Sequence, residues 1–219
     1  MMKMMQRLKH FKSIPISHSI LLGYLDEYKN PNDKIKQMIS SGELIRLKQG
    51  LYVVGDIYRD AKISKGLLAN QIYGPSYVSL DFALSFYGLI PERVYEITSV
   101  TTKMLKSYDT PFGRFTYLKS PLRLYSIGIS IQTNSDDISY MIATAEKALC
   151  DKIAFTKNLG ISSQKDMKVY LEDDLRIDLD GLKDFDLSII KECVECGYKS
   201  RLLTYLYKTI KKIQEQYKL

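Results

Sequence analysis

Asn32, Lys34, Lys36 and Gln37 fall in one short segment, interleaved with Ile35, Met38 and Ile39. The aliphatic spacing puts those three on one face of a helix, so the polar four lie off that face. Arg46 and Lys48 follow, near the tip of a candidate two-stranded ribbon. Side-chain amides can pair with adenine edges, while lysine and arginine hold phosphate oxygens. Amides and cations outward with aliphatics inward is what contact with duplex DNA needs. On this reading Asn32 and Gln37 are the candidates for base contact, and Lys34, Lys36, Arg46 and Lys48 mainly hold phosphate. A small helix–hairpin packing unit with a solvated polar face has the same pattern and stands as the competing interpretation.

Other constellations offer less. There are two histidines, and neither has a metal-binding or catalytic neighbour spacing. No nucleophile elbow or phosphate-binding glycine loop occurs. Asp178, Asp180 and Lys183 come nearest to the carboxylate–lysine set of a metal-dependent nuclease, but their sequence reads as a turn. Cys193 and Cys196 form a lone C-x-x-C without the second pair that a structural zinc needs. Cys150 lies in an apolar helix and reads as a core residue. The expectation is no catalytic residue, no metal ligand and no cofactor. The 17 tyrosines and 7 phenylalanines, several at helical spacing among aliphatics, read as an aromatic core rather than a base-stacking platform.

The elements that must position the polar set can be read around it. A first helix is expected over residues 2–12. A second follows Ser17 as N-cap, with Ile20, Leu21, Leu22 and Leu25 buried. The third runs from Pro31 or Asn32 to Ser41 and ends at Gly42. Leu44-Ile45-Arg46-Leu47 and Leu51-Tyr52-Val53-Val54 are strands joined through Lys48-Gln49-Gly50. Helix, turn and ribbon in this order make the second half of a winged helix-turn-helix.

Beyond residue 58 the pattern is mixed. Helices are expected at 61–73, from Ser79 or Asp81 to Gly88, and at 144–155. Strands are expected at 94–100, 114–118 and 124–131, with a short one at 137–141. The tail is helical: one helix capped by Ser162 or Ser163, one over 186–196, and a last one carrying Leu203, Leu206, Ile210, Ile213 and Tyr217 as a continuous apolar stripe. That stripe suits packing on the chain's own core better than a dimer seam. The fold class is therefore α+β: a winged helix-turn-helix domain at 1–58, then an α+β domain at 59–219 whose helical tail is 160–219.

Charge placement adds to this. The net charge is +7 over 219 residues. Residues 1–55 hold nine Lys/Arg against four Asp/Glu, and residues 198–219 hold six against one, so both ends are basic and the centre is mildly acidic. A basic end can serve phosphate by counterion release. No apolar run approaches bilayer-spanning length, and the basic start lacks an apolar signal core, so a cytoplasmic location without membrane contact is expected.

Several blocks of the sequence resemble one family. They are Gly42-Glu43-Leu44-Ile45-Arg46-Leu47-Lys48-Gln49-Gly50-Leu51-Tyr52-Val53, then Ala69-Asn70-Gln71-Ile72-Tyr73-Gly74-Pro75-Ser76-Tyr77-Val78-Ser79-Leu80. Ala83-Leu84-Ser85-Phe86-Tyr87-Gly88-Leu89-Ile90-Pro91-Glu92, Thr98-Ser99-Val100-Thr101, Thr110-Pro111-Phe112-Gly113-Arg114-Phe115 and Ala145-Glu146-Lys147-Ala148-Leu149-Cys150-Asp151 complete the set. In this order they are similar to the AbiEi family, antitoxins and transcriptional autoregulators of bacterial type IV toxin–antitoxin systems. The Gly-Pro-Ser-Tyr-Val-Ser-Leu and Glu-Lys-Ala-Leu blocks are the more specific. The resemblance implies an N-terminal winged helix that binds an operator, repressing its own operon. It also implies a C-terminal domain that counteracts a nucleotidyltransferase-like toxin without needing a stable complex with it. Specific reading of an operator would take two copies, so a homodimer is one expectation. Two alternatives remain: a protein-interaction module without DNA binding, and the Asp178/Asp180/Lys183 nuclease.

Overall fold

The computed structural model describes residues 8, 10–11, 13–59 and 61–217. The helix expected over 2–12 falls mostly outside them. Two hydrophobic cores organise the rest, and one two-stranded ribbon serves both.

The first core is small. Ile16–Ser17 forms β1, and His18–Tyr24 is α1. Ser17 caps α1 by accepting the Ile20 N–H at 3.3 Å. Pro31–Ser40 is α2, with proline in its first turn, where its missing N–H costs nothing. Gly42 follows with φ +75°, the left-handed conformation that stops a helix, and its N–H bonds the Ile39 carbonyl at 3.2 Å. Leu44–Lys48 (β2) and Leu51–Val54 (β3) pair antiparallel, and β1 adds on the other side of β3. Leu21, Leu25, Ile35, Met38, Leu44, Tyr52 and Val54 fill this core. Ile20, expected inside, is 44% exposed, because α1 is only two turns long and buries a narrower stripe.

The second core is larger. Lys65–Ile72 (α3) is capped by Ser64 and starts later than the expected residue 61. Then come Ser76–Val78 (β4), Leu80–Phe86 (α4), Ile97–Thr101 (β5), Lys106–Thr110 (β6), Gly113–Lys119 (β7), Leu122–Tyr125 (α5), Ile129–Thr133 (β8), Ser139–Ala143 (β9) and Ala145–Phe155 (α6). The six strands form one sheet in the order β6-β7-β5-β4-β9-β8. β5–β7 and β4–β9 are parallel pairs, and the other pairs are antiparallel. The strand expected over 124–131 is corrected here. Its first half is the short helix α5, which drops Leu124 into the core, and only Ile129–Thr133 extends.

Gln164–Val169 (α7), Leu187–Glu195 (α8) and Ser200–Gln216 (α9) complete the chain, with Ser163 and Asp186 capping α7 and α8. Leu203, Leu206, Ile210 and Ile213 of α9 are buried in the same cluster as the sheet. Each such side chain stabilises by ~1.5–3 kcal/mol, so the tail belongs to the second core. Tyr217, at the end of the stripe, is left exposed.

β3 joins the two cores. Tyr52 and Val54 point into the first, and Leu51 and Val53 into the second. The period of two that sorts side chains to opposite faces explains why all four residues are buried. Among the described residues no helix is long and apolar enough to cross a membrane.

Candidate nucleic-acid interface

The exposed side of α2 follows from its buried side. Ile35 and Met38 anchor it, so Asn32, Lys36 and Gln37 face solvent. The Lys36 side chain is 78% exposed and paired with Asp33 at 3.0 Å. Such a pair is worth little in water and exchanges readily for phosphate. Arg46, on β2, is also exposed. An open groove of about 540 Å³ is lined by Lys36, Ser40, Arg46 and, from the β6–β7 turn, Pro111. Four of the six expected contact residues therefore reach solvent from α2 and β2.

The other two are placed differently. Lys34 is largely buried: its Nζ donates to Gln37 Oε1 at 3.0 Å and lies 5.7 Å from the centre of the Tyr28 ring. Its position next to Ile35 carries its stem over the apolar stripe, and it orients Gln37 rather than reaching outward. Lys48 was expected at the ribbon tip beside Arg46. A bulge between Arg46 and Lys48 breaks the alternation, so Arg46 sits opposite Tyr52 but Lys48 sits opposite Leu51. One extra residue reverses the face. Lys48 consequently points at the second unit, where its Nζ donates to the Ile72 carbonyl at the end of α3, 2.5 Å away.

There it meets cations that sequence reasoning missed. Lys103 Nζ donates to the Gly74 carbonyl and lies 5.4 Å from the centre of the Tyr73 ring. Lys106 Nζ lies 5.7 Å from Tyr73 and 5.1 Å from Tyr108, and Lys48 Nζ lies 5.8 Å from Tyr108. Burial, then the charges of Lys106 and Lys103, lower the Lys48 pKa. Among the described residues none of the three lysines has a carboxylate partner within ion-pair distance. The available signal was Lys103-Met104-Leu105-Lys106, two exposed cations flanking two exposed apolar residues.

A second polar cluster lies inside the sheet unit. Lys147 and Asp151, one turn apart on α6, pair at 2.6 Å with both side chains fully buried. Asp151 Oδ2 also accepts the Tyr77 hydroxyl at 2.9 Å and the Ser79 hydroxyl at 2.7 Å, and Lys147 donates to the Leu124 carbonyl at 2.8 Å. Burial pushes the Asp151 pKa up, against the opposing pull of Lys147 and the two hydroxyls. Burial, with Asp151 alongside, raises Tyr77 far above the usual phenol range. Leu80, immediately after Ser79, is held at φ +55°, a strained conformation for a bulky residue. The two more specific sequence blocks thus meet in a closed network that pins the β4–α4 corner to α6. Glu146, on the same block, accepts the Asp186 N–H at 3.1 Å and so ties α8 to α6.

The two aspartates of the nuclease trio have partners of their own. Asp178 accepts the Asp180 N–H at 3.0 Å as the cap of a turn, and Asp180 accepts the Tyr217 hydroxyl. No group of three His, Cys, Asp or Glu side chains able to hold a metal occurs among the described residues. Cys193 and Cys196 have different surroundings. Cys193 is buried and faces Cys150, whose thiol is raised by a hydrogen bond with Cys193 and by burial, whereas Cys196 Sγ donates to the Cys193 carbonyl at 3.0 Å.

No protein-family model matches the chain, and no curated protein matches it significantly.

Proposed function

We propose that this protein is a cytoplasmic, sequence-specific DNA-binding regulator of the AbiEi type, whose residues 1–58 act as a winged helix-turn-helix. α2 enters the major groove, and Arg46 on the ribbon meets the adjoining backbone. The observation that carries the reading is the exposed polar face of α2. Asn32, Lys36 and Gln37 project together, with Arg46 beside them across an open groove. Asn32 and Gln37 are positioned for base edges. Lys36 and Arg46 are positioned for phosphates, and Lys34 supports Gln37 from behind. The toxin-counteracting role of the second unit rests on the sequence resemblance alone.

The test is a gel shift against a duplex spanning the region upstream of the protein's own reading frame. Lys36→Ala with Arg46→Ala is expected to weaken binding to all duplexes and reduce the slope of log K against log salt by about two, at ~0.9 per phosphate contact. Gln37→Ala is expected to erase the preference for that duplex over a scrambled one while leaving the salt slope intact. Unchanged affinity, preference and slope in these variants would remove α2 as the contact.

A further inference from the structure

We propose that Lys48, Lys103 and Lys106 form a second phosphate-backbone contact, which extends the DNA footprint from the ribbon onto the edge of the six-stranded sheet. The proposal rests on the DNA-binding reading above and deepens it.

Three observations support a built site. First, the lysines converge from separate places: Lys48 from the bulged end of β2, Lys103 from the loop after β5, and Lys106 from the start of the edge strand β6. Second, their positions are fixed. Lys48 and Lys103 each donate to a backbone carbonyl at the end of α3 and just beyond it, and the rings of Tyr73 and Tyr108 lie against the ammonium groups. Third, the charge is uncompensated, since no carboxylate among the described residues pairs with any of the three. Crowding like charges is unfavourable, and an anion relieves it.

The shape of the site selects the anion. Lys103 and Lys106 are exposed on a sheet edge rather than enclosed in a cavity, so a small ion would gain little there. An extended polyanion can touch all three at once. The cluster is also continuous with the first contact. β2 carries Arg46 on one face and Lys48 on the other, and the groove that holds Lys36 and Arg46 is also lined by Pro111 of the β6–β7 turn. Lys106 lies at the far end of that same β6. A backbone strand leaving Arg46 along β6 therefore arrives at the three lysines. Met104 and Leu105, 67% and 63% exposed, stand between Lys103 and Lys106 and add apolar contact at that end.

The experiment measures fluorescence anisotropy of the upstream duplex against salt, with hydroxyl-radical footprinting. The full-length protein is compared with Lys103→Ala/Lys106→Ala, Lys103→Arg/Lys106→Arg and Lys36→Ala/Arg46→Ala. The expected result is a salt slope lower by about two in the alanine pair, a footprint shortened at one end, and recovery of both in the arginine pair. Loss of binding confined to Lys36→Ala/Arg46→Ala would overturn the cluster and leave the α2 reading standing. Loss confined to the Lys103/Lys106 alanine pair would support the cluster and overturn α2. A full-length protein that binds no duplex overturns both, as does binding only to vesicles of anionic phospholipid. Both lysines are exposed, and a thermal melt of each variant confirms that it folds.

Discussion

Lys147 and Lys48 are both drawn out of water, yet their surroundings are opposite. Lys147 is fully enclosed and meets a carboxylate, two hydroxyl-bearing neighbours of that carboxylate, and a carbonyl. Lys48 is half-buried and meets a carbonyl, one tyrosine ring and two further lysines. The first charge is balanced from within the chain. The second has no carboxylate partner within ion-pair distance among the described residues. The difference separates a group that holds the fold together from the one we propose for a ligand, and it does so without reference to sequence motifs.

The largest expected effect lies on the balanced side. Asp151→Ala strands the Lys147 ammonium in an apolar interior and is expected to cost about 3–5 kcal/mol in urea unfolding. A cost below ~1 kcal/mol would mean that the network is not what pins α6. Tyr77→Phe is expected to cost less, ~1.5–3 kcal/mol, because it removes one hydrogen bond to a charged group and leaves the ion pair intact. On the uncompensated side the expectation reverses. Lys103→Ala/Lys106→Ala changes stability by no more than ~0.5 kcal/mol, as exposed substitutions do, while altering DNA binding as described above. A destabilisation comparable with that of Asp151→Ala would erase the distinction.

The smallest effect is a titration. Lys48 has a folded-state pKa below its ordinary value. Its proton therefore costs stability while it is retained, and stability rises as pH climbs from the lowered pKa to the ordinary one. Lysine NMR should find Lys48 titrating early in the wild type, and later both in the Lys103→Ala/Lys106→Ala pair and in the presence of duplex DNA. No movement in either case would show that burial alone, and not the neighbouring charges, sets the shift.

Much of this frame was legible from residue types. Ser17 and Ser163 are N-caps as expected, since short side-chain oxygens satisfy the free N–H groups of a first turn, and Asp186, expected as the first residue of its helix, caps it instead. Ile35, Met38 and the Leu203–Leu206–Ile210–Ile213 stripe sit inside because their spacing leaves them no other face. What escaped was set by tertiary context. β4 is three residues long and follows Gly74-Pro75, so it reads as a break, although it lies in the middle of the sheet. β6, Lys-Ser-Tyr-Asp-Thr, is an edge strand with no apolar alternation. The bulge that turns Lys48 lies beside a turn whose Gly50 has φ +77°, a signal the strand pattern alone did not weigh. The polar face of α2 was readable one residue at a time, with Lys34 as the exception. The Lys103–Lys106 pair gains a meaning only once the ribbon is folded against it.

The strand that faces two ways has a practical consequence for anyone dividing the chain. Residues 1–58 look like a detachable module, but a fragment ending there would bare Leu47, Leu51 and Val53, three side chains that belong to the neighbouring core. Such a piece would be sticky rather than independent. In the whole chain those shared side chains lock the ribbon to both cores, so on the proposed reading a load applied at α2 by a duplex passes through them to the sheet.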